Sequence, residues 1–152
     1  MNPYEALARL GLELPPRPAP GGNYYAAKTA GNLVFLAGVI SQDAQGVIGG
    51  TAGADRTLDE AYAAARCCAL LQLAVLEGHL GSLTKVVGVV SVNGYVNSVP
   101  GFADSPRVIN GASDLLMAVF GEAGRHVRAA IGVSGLPRNA LVELQMIVEA
   151  VA

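Results

Sequence analysis

The sequence predicts an α+β layer sandwich, one mixed β-sheet with two helices on one face. Three observations carry this. Residues 127–133 and 141–148 alternate two sets of side chains with period two, the signature of half-buried strands. Residues 58–79 and 105–120 are apolar runs bounded by helix start and stop signals. The order β-β(-β)-α-β-α-β-β supplies two helices for a sheet with two faces, so one face is left without a helical cover.

Taken in order, residues 3–11 form a short helix, with Tyr4, Leu7 and Leu10 at helical spacing. LPPRPAPGG, 14–22, is an extended connector, because its prolines and glycines cannot sustain an element. Residues 1–19 are therefore expected to pack apart from a compact domain, 20–152, and to be dispensable for its fold. Tyr24–Thr29 and Leu33–Gly38 read as a hairpin around Ala30-Gly31-Asn32. Residues 39–54 hold at most one further short strand. Thr57 and Glu60 make a capping box for the first long helix, and Gly78 and Gly81 suit its end. Lys85–Val92 is a valine-rich buried strand, followed by a loop from Asn93 to Pro100. Ser105 suits the N-cap of the second helix and Pro106 its first position. An apolar stripe from Val108 to Phe120 follows, and Gly121 ends it.

Composition bounds the function. The chain of 152 residues is 52% hydrophobic, only 14% charged, and contains no Trp. So few charges suggest that part of the surface is buried between copies of the chain. A net charge of −2 without a basic run disfavours nucleic-acid binding. No unbroken apolar run is long enough for a membrane span, and the N-terminus lacks the pattern of a signal peptide, so a cytoplasmic location is expected. Cys67 and Cys68 fall inside a helix and read as buried thiols. No His/Cys/Asp/Glu cluster has metal spacing, and no phosphate-binding or nucleophile-elbow motif occurs. Neither metal nor cofactor is expected.

In the terminal hairpin, Val127, Ala129, Ile131 and Val133 alternate with Arg128, Ala130, Gly132 and Ser134. If the first set faces the core, Arg128 and Glu143 both project from the uncovered face. Arg128 then stands among small side chains, over space for a small acidic ligand, a neighbouring subunit or water.

The segments G-N-Y-Y and A-G-N-L-V-F-L-A-G within 22–38, G-S-L-T-K-V-V at 81–87, and V-R-A-A-I-G-V-S-G-L-P-R-N-A-L-V-E-L at 127–144 resemble the RidA/YjgF family. The last is the specific one: an arginine, an alternating strand, L-P, and a glutamate fifteen positions on. The resemblance implies a chorismate-mutase-like fold and a homotrimer with clefts between subunits. It also implies cofactor-free hydrolysis of enamine or imine intermediates, such as 2-aminoacrylate and 2-iminobutanoate, to 2-oxo acids and ammonia. Carried over residue by residue, Arg128 would hold the substrate carboxylate and Glu143 would place the attacking water. Tyr24 would line the cleft, and Gly38 would offer backbone contacts. Asn110 is the nearest counterpart of the family's cleft asparagine. Three departures mark a longer, divergent branch. Ala37 replaces the usual serine, His126-Val127 replaces Pro-Ala, and the segment 101–114 is extended.

Each residue also has a plainer reading. Arg128 and Glu143 could pair across strands. Tyr24 and Tyr25 could be ordinary strand aromatics. His126 could share the ligand of Arg128 or be structural, as His79 at a helix end is read to be. Three functions stand: the deaminase, a non-catalytic binder of small carboxylic-acid metabolites in the same clefts, and an endoribonuclease. The acidic, aromatic-poor composition counts against the last.

Overall fold

A computed structural model describes residues 2–151. The chain opens with α1 (Pro3–Arg9), then the hairpin β1 (Ala27–Ala30) and β2 (Leu33–Leu36). Three two-residue strands follow: β3 (Val39–Ile40), β4 (Gln42–Asp43) and β5 (Gly46–Val47). The long helix α2 (Leu58–Leu80) leads to β6 (Val86–Asn97), α3 (Ser105–Phe120), β7 (Val127–Val133) and β8 (Val142–Ala150). The main sheet has the order β1-β2-β8-β6-β7, with β3 also on β8, while β4 and β5 form a separate ribbon. Only β6 and β7 run parallel, so the sheet is mixed, and α2 and α3 cover one face.

Local chemistry explains the helices. Thr57 and Glu60 exchange side-chain-to-backbone bonds at 3.0 and 3.1 Å, closing the capping box of α2. Gly81 ends it in the left-handed conformation, φ 88°. Alanines make α2 thin, and Gly111 of α3 lies so close that a Cβ there would strike the Tyr62 carbonyl. α2 is long and apolar enough to cross a membrane, but 56% of its most apolar stretch is buried inside the protein, as in a core helix.

The strands sort their residues by face. Val142, Leu144, Met146 and Val148 of β8 are fully buried under the helices, which leaves Glu143, Gln145 and Ile147 on the open face. β6 places Val92 and Val96 in the core, and a Cβ on Gly94 would strike Ile109 of α3. β6 continues through Asn97, beyond the strand expected from its valine run. Gly94 stands where α3 crosses, and Asn93 and Tyr95 occupy the open face, so the alternation persists without valines.

β7 reverses the expected facing. Arg128, Ala130 and Gly132 register with Val92, Gly94 and Val96, and so share the helix face. Val127 and Ile131 are 71% and 50% exposed on the other side. The physical reason is space. The N-terminal half of α3 lies over this edge strand, so the small residues make room for a helix. Arg128 and Glu143 therefore lie on opposite faces of the sheet, not on one.

The expectation that residues 1–19 pack apart from the rest of the chain is also overturned. Ala6 and Leu7 are buried, and the Tyr4 hydroxyl accepts from the Leu83 N–H at 3.0 Å and donates to Glu77 at 2.7 Å. Leu12 and Leu14 pack on the same core. The apolar face of α1 needs cover, and it lies on α3 and on the turn at Leu83–Lys85. The change at 19/20 is one of composition, not of packing.

Candidate functional site

Two separate clusters contain the residues expected at the site. The first is built on β7 and α3. Arg128 Nη1 donates to Asn110 Oδ1 at 2.8 Å and to Ser113 Oγ at 3.1 Å, and Nη2 donates to the Pro106 carbonyl at 3.1 Å. Asn110 and Ser113 are three residues apart and so share one helix face. Ser113 Oγ lies 2.9 Å from His126 Nε2, while His126 Nδ1 lies 2.6 Å from the Gly124 carbonyl. A carbonyl only accepts, so Nδ1 carries the proton, and in the neutral ring Nε2 accepts from the serine hydroxyl. His126 thus belongs to the surroundings of Arg128, through Ser113.

Three of the five guanidinium donors are engaged, all by neutral oxygens. No carboxylate reaches Arg128 among the described residues. The side chain is half-buried, fixed in orientation, and has two N–H groups and its whole charge to offer. That combination suits an incoming carboxylate, which a guanidinium grips through parallel bonds.

The second cluster surrounds Glu143. A cleft of about 560 Å³ is lined by Pro18, Pro20, Tyr24, Gly38, Arg138 and Glu143, among others. The Glu143 carboxyl lies directly over Gly38, so a Cβ at 38 would collide with Oε2. It accepts no hydrogen bond among the described residues, and burial pushes its titration above the ordinary carboxylate range. Tyr24 lies in a bend ahead of β1, not in the hairpin itself. Its hydroxyl accepts from the Gly21 N–H at 2.9 Å, and its ring is half exposed to the cleft. Arg138, not Arg128, is the arginine in this cleft.

Buried polar side chains hold the second cluster in shape. Gln72 Nε2 donates to the carbonyls of Ala37 and Leu144 at 3.0 and 2.9 Å, pinning the backbone beside Gly38 and Glu143. Ser41 Oγ donates to the Ile48 carbonyl at 2.8 Å and accepts from the Val142 N–H at 3.2 Å. Both residues are fully buried. Gln72 had a visible signal, as the lone amide in the apolar run ALLQLAVL, whereas Ser41 had none. Cys68 is buried and Cys67 half-buried, and burial raises both thiols, so neither is poised as a nucleophile. Among the described residues no three metal-ligating side chains converge.

Comparison with known proteins extends this picture. Residues 5–150 match the family described as YjgF/chorismate-mutase-like, which carries an endoribonuclease label. The chain is similar to Protein TCP17 of Trypanosoma cruzi, 43% identical over 145 residues, which cover 94% of this chain and 91% of that one. A crystal structure from Agrobacterium tumefaciens, of unknown function, is 39% identical with a TM-score of 0.90, covering 98% of this chain and 94% of the other. One from Shewanella oneidensis that bears an endoribonuclease label is 34% identical with a TM-score of 0.93, covering 98% and 99%. The matched span begins inside α1, in keeping with the packing of that helix.

Proposed function

The chain belongs to the YjgF/chorismate-mutase-like family, and from that premise we propose that it hydrolyses small imine and enamine acids to 2-oxo acids and ammonia, in clefts shared between copies of a homotrimer. The observation that carries this is Arg128, fixed by three neutral oxygens and facing no acid of its own. An arginine so held is prepared for a carboxylate from outside the chain.

Two features support a shared site. Within one chain, Arg128 and Glu143 are two strands apart, roughly 10 Å across the sheet, offset by three residues, about 10 Å, along it, and on opposite faces, so no small substrate touches both. The open face also exposes Val127 and Ile131, and β7 is an edge strand, so this side of the molecule is suited to cover by another copy. A neighbour bringing its β7 edge to the Glu143 cleft would complete the pair.

The chemistry then needs little beyond positioning. An enamine first takes a proton on carbon and becomes the protonated imine, with the positive charge on nitrogen. Arg128 holds the carboxylate and so fixes the imine carbon. Glu143 accepts a proton as water adds to that carbon, while the C=N π pair moves to nitrogen. Returning that proton to the nitrogen lets the C–N bond break, and the hydroxyl gives its proton to the departing ammonia as C=O forms. A carboxyl raised by burial is a stronger base than an ordinary glutamate, which favours this role.

A second reading, a non-catalytic binder of carboxylic acids, is favoured by Ala37, which offers no hydroxyl to water or substrate. Release of ammonia and 2-oxo acid from freshly generated 2-aminoacrylate separates the two. The deaminase reading expects release above the uncatalysed rate, cut by at least about tenfold in Arg128→Ala at limiting substrate. An inert protein that still binds 2-oxo acids leaves the binder.

A further inference from the structure

Arg138 has no part in the scheme above, yet it lines the same cleft as Glu143. Its backbone is in the left-handed region, φ 57° and ψ 25°, as is that of Asn139 at φ 57°. Two consecutive side-chain-bearing residues in that region are unusual and carry a steric cost that glycine would avoid. The turn is locked from the Asn139 side. The Asn139 carbonyl accepts from the Gly50 N–H at 3.0 Å, its Oδ1 accepts from Asn97 Nδ2 at 3.2 Å, and Asn97 is buried. The lock sets the direction in which the side chain at 138 leaves the turn.

Arg138 meets no carboxylate among the described residues. Glu143 is among the carboxylates it does not reach within ion-pair distance. The facing wall, from Pro18, Pro20 and Tyr24, is largely apolar and offers no other charge. The cleft therefore has an acid on its floor and an unpaired cation at its rim.

We propose that Arg138 is a specificity-determining residue that selects substrates with a second acidic group, the imines of 2-oxo dicarboxylic acids over those of monocarboxylic ones. The inference rests on the reading in which Arg128 takes the carboxylate beside the reacting carbon. The distal carboxylate then reaches Arg138, which makes no direct contact with the reacting atoms.

The test compares 2-oxoglutarate with 2-oxopentanoate, two five-carbon acids that differ only in the distal carboxylate. Affinities are measured by calorimetry on the full chain at low salt. Wild type is expected to favour 2-oxoglutarate by about fivefold, the upper range for an exposed ion pair. Arg138→Gly, which fits the backbone, should erase the preference and leave 2-oxopentanoate binding unchanged, while Arg138→Lys should keep part of it. Equal affinities in wild type, or a preference that survives Arg138→Gly, would overturn the proposal and leave the role of Arg128 standing. Failure of wild type to bind either acid would overturn both.

Discussion

Arg128 and Glu143 are held in opposite ways. Arg128 is fixed by three hydrogen bonds to neutral oxygens, and its surroundings leave two N–H groups and its charge without a partner among the described residues. Glu143 is placed by packing over Gly38 and accepts no hydrogen bond among the described residues. A binding group gains from a fixed orientation, because less freedom is lost when the ligand arrives. A group that must accept a proton needs lone pairs free to meet water. The difference teaches that the arginine side is built for affinity and the glutamate side for turnover.

Glu143→Gln gives the largest expected effect. It keeps the shape over Gly38 and removes the base, so kcat should fall by about 100-fold or more, while 2-oxo acid affinity stays within about twofold. Steady-state kinetics beside equilibrium binding reads both. Equal losses in the two measurements would break the division of labour. In wild type kcat should rise with pH through a value above the ordinary carboxylate range, because the ionised form is the base and burial delays ionisation.

Arg128→Ala should instead cut acid affinity by at least about tenfold, since each charge-assisted bond lost costs about 1.5–3 kcal/mol. The two variants together test whether the site is shared. Refolding them as a one-to-one mixture should restore about a quarter of the sites, those that draw a wild-type arginine from one copy and a wild-type glutamate from another. A mixture no more active than its components would place both groups in one chain's site, against the facing of β7.

Asn110→Ala is a smaller probe of the same side. It removes one of three bonds that orient Arg128 and leaves the charge intact. Affinity for 2-oxo acids should fall by roughly two- to tenfold, the range of one net hydrogen bond, with kcat nearly unchanged. A kcat loss as large as that of Glu143→Gln would place Asn110 in the chemistry instead.

Much of this was legible in the sequence, and the failures have one cause. The capping box and the Gly31 turn are local chemistry and stand where the sequence predicts them, whereas α3 starts one residue earlier than predicted, with Asp104 at the N-cap and Pro106 in the second position. The grouping of Tyr24, Gly38 and Glu143, and that of Arg128 with Asn110, followed from a resemblance and not from pattern. What pattern could not decide is which of two alternating sets faces inward on an edge strand. In β7 the larger apolar residues face out and the small ones face in, because a helix presses on the strand from one side and, among the described residues, nothing presses from the other. The same limit hid the packing of α1. Its connector reads as a linker by composition, yet Leu7, Leu12 and Leu14 still bury on the core.

The smallest expected effect is on stability, and it bears directly on the comparison. Burial raises the Glu143 carboxyl in the folded protomer above its unfolded value. Below the unfolded value, near pH 4, both states are protonated and the residue contributes nothing. As pH rises, the unfolded chain ionises first, and stability is lost until the folded carboxyl also ionises. Glu143→Gln removes that penalty, so the dilute protomer should gain up to about 0.5 kcal/mol at pH 7 and nothing near pH 4, a small figure because the group is partly exposed. In an assembled protein with a neighbour's Arg128 beside Glu143, the opposite charge offsets burial and the sign reverses. Denaturation of both proteins at low and high concentration, at pH 7 and pH 4, reads the sign. A gain at pH 7 that is the same at every concentration would mean that no arginine meets Glu143 on assembly.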